Sequence, residues 1–219
     1  MNVLIVHAHP EPKSFCSALK DYAVEFFEQR GDVVEVTDLY KINFDPVGVK
    51  KDFLQLSNSD YFKYQTEQVH AYNNSFFTDT VLQEMKKIEW ADLIIFSFPL
   101  WWFSLPAILK GWVDRIFAMG FCYGAGKGVY ENGIFRNKTG MLLFTTGGPE
   151  FAYSPAGKNG NMDTLLYHIH HGMLYFIGLN VKPPFIAWSP ARLSDEERKH
   201  YFEKLNEHLI NLDSLKNLY

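Results

Sequence analysis

Apolar positions follow two different periods along this chain. Short unbroken apolar runs alternate with longer stretches in which apolar residues recur every three or four positions. Asn2 to His7 predicts a buried strand. Phe15, Leu19, Tyr22, Ala23, Phe26 and Phe27 then mark a helix from Ser14 to Arg30, closed by Gly31. Asp32 to Asp38 predicts a second strand, Thr78 to Trp90 a helix, and Asp92 to Phe98 a third strand. Pro106 to Met119 reads as a helix with proline in its first turn. Lys138 to Thr146 is the fourth strand and Met162 to Gly178 the next helix. Asn180 to Trp188 is the fifth strand, interrupted by Pro183-Pro184 and therefore expected at a sheet edge. The last helix runs from Ser194 to Leu209, and Ser194-Asp195-Glu196-Glu197 forms a capping box.

Strands that alternate with helices form parallel sheets covered on both faces. Right-handed crossovers favour an α/β, doubly wound, five-stranded parallel sheet of order 2-1-3-4-5 in one domain spanning 1–219. Residues 40–77 do not fit this repeating unit. They carry Phe44, Phe53, Tyr61, Phe62, Tyr64, Tyr72, Phe76 and Phe77. Structureless loops of that length are uncommon in compact domains. So many rings predict packing against something, a second subunit being favoured over the chain's own core.

Composition narrows the function classes. Hydrophobic residues make up 47% and aromatic residues 16% of 219 positions, enough for one well-packed domain. A formal charge of −4 argues against a nucleic-acid partner. No apolar run approaches a membrane span, and Met1-Asn2-Val3-Leu4 lacks the basic lead of a signal peptide. Cys16 and Cys122 are the only cysteines and form no CxxC motif. A reducing, cytoplasmic setting is expected.

Candidate chemistry gathers where strands end, because ligands of open α/β sheets bind outside the carboxyl ends of strands. After the first strand comes His7-Ala8-His9-Pro10-Glu11-Pro12-Lys13-Ser14, which is neither a GxGxxG nor a Walker loop. Ser14 opens a helix whose first amides can hold an anion, with His9 and Lys13 adding positive charge; taken by itself, Ser14 reads more simply as an N-cap. After the third strand comes Pro99-Leu100-Trp101-Trp102-Phe103, three rings suited to stacking on a planar ligand or to packing under a loop. After the fourth comes Thr145-Thr146-Gly147-Gly148, with Tyr153 and Asn159 beyond, either a bare backbone edge for a ligand or a glycine turn. A flat, polar-edged ring such as a flavin isoalloxazine needs both aromatic and backbone contacts. His168, His170 and His171 lack a placed acidic or cysteine partner and read as ordinary helix histidines, so no metal is expected.

Longer motifs carry a resemblance. Phe98-Pro-Leu-Trp-Trp-Phe-Ser-Leu-Pro-Ala-Ile-Leu-Lys-Gly-Trp-Val-Asp-Arg-Ile-Phe117, Thr145-Thr-Gly-Gly148, Tyr153-Ser-x-x-Gly157, Leu4-Ile-Val-x-Ala-His9, Ser14-Phe15, Asp38-Leu39-Tyr40 and Glu197-Arg198-Lys199 resemble the NAD(P)H:quinone oxidoreductases of the DT-diaphorase family. The resemblance implies a flavodoxin-like homodimer with FAD (FMN being the less favoured alternative) and active sites at the subunit interface. It places flavin contacts on His9, Ser14, Phe15, Cys16, Pro99, Leu100, Trp102, Phe103, Thr145, Thr146, Gly147, Gly148, Tyr153 and Arg198. Asp114 falls at an acidic position reaching the partner's flavin. Trp102, Phe103, Tyr123, Gly147, Gly148, Asn159 and Phe176 would line a quinone pocket. Cys16 stands where the family usually has asparagine, and Asn159 where the DT-diaphorase branch has histidine.

The implied activity is hydride transfer from NADH or NADPH to a quinone by a ping-pong, two-electron route, with Tyr153, Asn159 and Gly148 as the catalytic candidates. An alternative of another class is a flavin-loaded regulatory subunit of a potassium-efflux transporter.

Overall fold

The computed structural model describes all residues from 1 to 219. Strands β1 (Asn2–His7), β2 (Val33–Asp38), β3 (Leu93–Pro99), β4 (Thr139–Thr145), β5 (Asn180–Val181) and β6 (Phe185–Ala187) form one parallel sheet. Its order is β2-β1-β3-β4-β5, with β6 also on β4, giving the expected doubly wound pattern. Pro183 and Pro184 divide the fifth position into two short strands, because neither carries the N–H that a ladder requires. Both pieces lie at the edge, where that loss is tolerated.

Helices α1 (Phe15–Gln29) and α6 (Asp195–Ile210) cover one face. Phe27, Leu19, Leu205 and Leu209 pack there on Val3, Ile5 and Ile95. The other face is covered by α2 (Tyr64–Asn74), α3 (Asp79–Trp90), α4 (Ala107–Ile116) and α5 (Met162–Ile169). Trp112, Ile88 and Leu166 are buried there with Leu4, Phe96 and Phe144. No helix is long and apolar enough to cross a membrane.

Three boundaries differ from the sequence reading. Pro106 caps α4 in an extended conformation rather than opening its first turn, and α4 stops at Ile116. The helix expected to run to Gly178 is α-helical only to Ile169 and continues as a π-helical segment, His170–Tyr175. A bond from Phe176 N–H to the His171 carbonyl, 3.0 Å long, closes that wider turn. The 40–77 excursion contains its own structure, a 3₁₀ turn at Lys50–Asp52 and α2.

Most rings of that excursion sit on the chain's own core. Phe44, Phe53 and Phe77 are buried, and Phe62, Tyr64 and Phe76 pack against the same cluster. Only Tyr61 and Tyr72 remain exposed. The excursion is anchored by Arg115, whose Nη2 donates to Asp52 Oδ1 at 2.7 Å while the Tyr64 hydroxyl donates to Asp52 Oδ2 at 2.8 Å. Gly111 permits the approach: a Cβ there would lie 2.2 Å from the Pro46 carbonyl oxygen.

Candidate active site

Register decides which loops meet. His7 pairs with Ser97, Pro99 with Thr145, and Thr145 with Ala187, so β1, β3, β4 and β6 end in one row. The loops leaving that row enclose a cleft of about 690 Å³. Ten of the residues expected to hold a cofactor line it: His9, Ser14, Phe15, Cys16, Pro99, Leu100, Thr145, Thr146, Gly147 and Arg198. Lys13, Ala18, Trp101, Pro190 and Ala191 complete the wall. Pro190 and Ala191 went unread in the sequence. They follow the end of β6, and the rule that directs attention to strand ends would have found them.

The residues on this wall divide into those free to meet a ligand and those already engaged. Ser14 does both things foreseen for it: its hydroxyl caps α1 by accepting from Ser17 N–H at 3.1 Å, and the side chain lines the cleft. His9 Nδ1 accepts from Glu11 N–H at 3.0 Å. A neutral His9 therefore carries its proton on Nε2, and burial lowers its pKa. Burial pushes the Cys16 thiol up to about 12, although hydrogen bonds with Ser97 and Thr145 pull the other way. Cys16 therefore lines the floor as a neutral, non-ionised group. The Thr146 hydroxyl donates to the Gly148 carbonyl at 2.7 Å and accepts from Ser189 N–H at 3.2 Å, so it holds the loop in shape rather than pointing a free donor at a ligand. Arg198 donates to the carbonyls of Leu193 and Pro190 and to Asp195, which pins its guanidinium at the cleft's lip.

Next to this cleft stand Gly148, Tyr153 and Asn159. A Cβ on Gly148 would sit 3.1 Å from the Tyr153 ring and 3.4 Å from Asn159 Nδ2. Only glycine lets the peptide, the phenol and the amide converge so closely. The Tyr153 ring packs 5.4 Å from Trp188 and 6.4 Å from Phe103. Trp102 is 94% exposed and Phe103 is 40% exposed, both with positive φ.

Tyr123, Phe176 and Asp114 lie elsewhere. They line a second cleft of about 590 Å³ with Tyr64, Gln68 and Lys110. Tyr123 meets Phe176 edge-on at 5.4 Å, and Asp114 pairs with Lys110 at 2.6 Å. Within one chain the residues expected to line a quinone pocket are thus split between two places. His168, His170 and His171 do not gather either. His168 bonds Ser104, His170 is buried, and His171 stacks on Tyr167 at 4.7 Å.

The first cleft fits a flavin on its own geometry. A Cβ at Gly147 would meet nothing within 4 Å, so bare backbone borders open space. The start of α1 offers unpaired amides suited to an anion. Pro99, Leu100 and Trp101 provide an apolar wall.

The family Flavodoxin_2, described as a flavodoxin-like fold, matches residues 1–209. The ribosyldihydronicotinamide dehydrogenase [quinone] of Rattus norvegicus is 44% identical over 198 residues, covering 90% of this chain and 85% of the relative. The NAD(P)H dehydrogenase [quinone] 1 of Cavia porcellus is 40% identical over 210 residues, 95% of this chain and 76% of that one. A Klebsiella pneumoniae crystal structure described as a candidate quinone reductase superposes with a TM-score of 0.96 at 36% identity, over 100% of this chain and 87% of that chain.

Proposed function

The chain belongs to the flavodoxin-like family that includes these quinone dehydrogenases, and from that premise we propose that it is a flavin-dependent oxidoreductase that reduces quinones with a reduced nicotinamide. The observation that carries the reading is the single cleft at the strand ends, in which a helix start, an apolar wall and the bare Thr145–Gly147 edge converge. FAD is the flavin assigned, since Arg198, Pro190 and Ala191 extend the cleft beyond what the ring system alone would need. When bound, a flavin would supply the two-electron chemistry of a ping-pong exchange between NADH or NADPH and the acceptor.

The protein's own groups bind, orient and stabilise charge. Phe15 and Cys16 would present the unpaired amides of the α1 start to the diphosphate, Ser14 N–H being donated to the Glu11 carbonyl at 3.1 Å, with Lys13 on the same wall. Gly147 and Gly148 bring peptide N–H groups against the ring edge, where donors stabilise developing negative charge. The Tyr153 hydroxyl and the Asn159 amide have no hydrogen-bond partner within the chain and are free to address a ligand. Asn159 donates hydrogen bonds but has no titratable proton, so it orients the acceptor while solvent supplies the proton. Trp102 and Phe103 form one wall of the acceptor slot.

The second cleft supplies the rest in a homodimer. Tyr123, Phe176 and Asp114, which line that cleft together, then close the slot of the partner subunit. No observation favours the reading as a transporter's regulatory subunit.

The test is steady-state reduction of menadione with NADH, NADPH and dihydronicotinamide riboside, on protein whose released flavin has been identified. Turnover with at least one donor and bound FAD is the expected result. Protein that binds no flavin, or flavin-loaded protein inert with all three donors, overturns the reading.

A further inference from the structure

We propose that His168 is a positioning residue for the acceptor slot, its Nε2 at 2.9 Å from Ser104 Oγ clamping the left-handed turn that presents Trp102 and Phe103. The proposal rests on the assignment of those two rings to the slot.

The turn needs an external hold. Trp102 and Phe103 have φ of +50° and +61°. Two successive central residues with positive φ, closed by a bond from Ser104 N–H to the Trp101 carbonyl at 3.0 Å, make a type I′ turn. That turn favours Asn-Gly, and bulky L-residues adopt it only where the surroundings enforce it. The return bond, Trp101 N–H to the Ser104 carbonyl at 3.2 Å, braces the turn internally. Neither bond fixes the turn's direction relative to the sheet. Trp102 contributes no packing, because that ring is almost wholly exposed, and Phe103 has Tyr153 as its one ring contact, at 6.4 Å between ring centres.

The Ser104 hydroxyl makes one hydrogen bond, to His168, across 64 residues of sequence. His168 lies on α5, immediately before the π-helical segment, and is itself exposed. It adds little to the core, and its one side-chain hydrogen bond is the one to Ser104. His168 also stands on the wall of the second cleft beside Tyr123 and Phe176, but its contact with the Trp102–Phe103 turn runs through Ser104, and toward that turn it is a positioning residue rather than a catalytic one.

Two variants and two independent readouts test this on the flavin-loaded protein as purified. His168→Leu removes the bond, and His168→Gln keeps a donor for Ser104 Oγ. Without substrate, His168→Leu should accelerate hydrogen exchange at the Trp101 and Ser104 amides by roughly three- to tenfold, the range one hydrogen bond supports. Exchange along β3 should not change. In turnover, the KM for menadione should rise by a similar factor while kcat stays within about twofold. His168→Gln should restore both. Unchanged exchange at Trp101 and Ser104 in His168→Leu overturns the clamp. Faster exchange beside an unchanged KM overturns its role in the slot. If the unaltered protein does not reduce menadione, the acceptor assignment fails, while the exchange experiment still decides the clamp.

Discussion

Tyr153 shows how one side chain can be embedded and still available. Its ring is held by Trp188 and Phe103 and is only 9% exposed, yet its hydroxyl has no partner in the chain. Tyr153→Phe keeps the packing and removes the hydroxyl. Flavin reduction by the nicotinamide should slow about tenfold, the size of one hydrogen bond to a charged group, while flavin affinity changes less. Stopped-flow traces equal to those of the unaltered protein would remove Tyr153 from the chemistry. His7 and His170 make a different residue-scale prediction. Burial lowers both to about 4, against an ordinary value near 6.5. Their folded forms refuse a proton that the unfolded chain accepts. Stability is therefore full above pH 6.5 and is lost as pH falls toward 4, by roughly 2 kcal/mol per histidine at pH 5. Urea midpoints at pH 7 and pH 5 measure the loss, and a His7→Gln variant should show a smaller one. Both the tyrosine and the strand-end motifs were legible in the sequence. The engagement of the Thr146 hydroxyl by Gly148 and Ser189 was not, because it depends on a loop 43 residues away.

Among the elements, patterning located every helix and strand of the repeating unit but not where they yield. The fifth strand breaks at two prolines that were visible beforehand. The π-helical segment at His170–Tyr175 leaves no mark in the apolar spacing, since it inserts one residue without changing which residues are hydrophobic. The number of rings on the 40–77 excursion favours packing on a second subunit over packing on the chain's own core. Phe44, Phe53 and Phe77 are instead buried in the chain's own core. Its anchor gives a sharp prediction. Arg115 and Asp52 are 5% and 1% exposed, so Arg115→Leu would leave a buried carboxylate without its cation. That change should destabilise the fold by about 3–5 kcal/mol in urea titration. A loss below about 1 kcal/mol would mean that the excursion does not depend on this pair.

At the scale of the whole molecule, the decisive feature is the separation of Tyr123, Phe176 and Asp114 from the cleft at the strand ends. In the proposed homodimer a two-fold axis would appose each half of the site to the other's complement. If so, two variants damaged in different halves should rescue one another. Tyr153→Phe and Phe176→Ala, each impaired alone, should recover about a quarter of full activity when coexpressed, because half the dimers are mixed and each mixed dimer carries one intact site. Activity no higher than the average of the two variants alone would place both residues in one subunit's site, or in none.

The order of strands and helices, the alternation that makes the sheet parallel and the row of loops that bears the chemistry were all determined by local pattern, because hydrophobic period and turn residues act over a few neighbours. Which side chains share a cavity was decided only by the folded chain. Strand register set Pro99 beside Thr145, and one hydrogen bond tied Ser104 to a histidine on a distant helix. Contacts of that kind depend on where elements stop and how they cross, and residue spacing alone does not encode either.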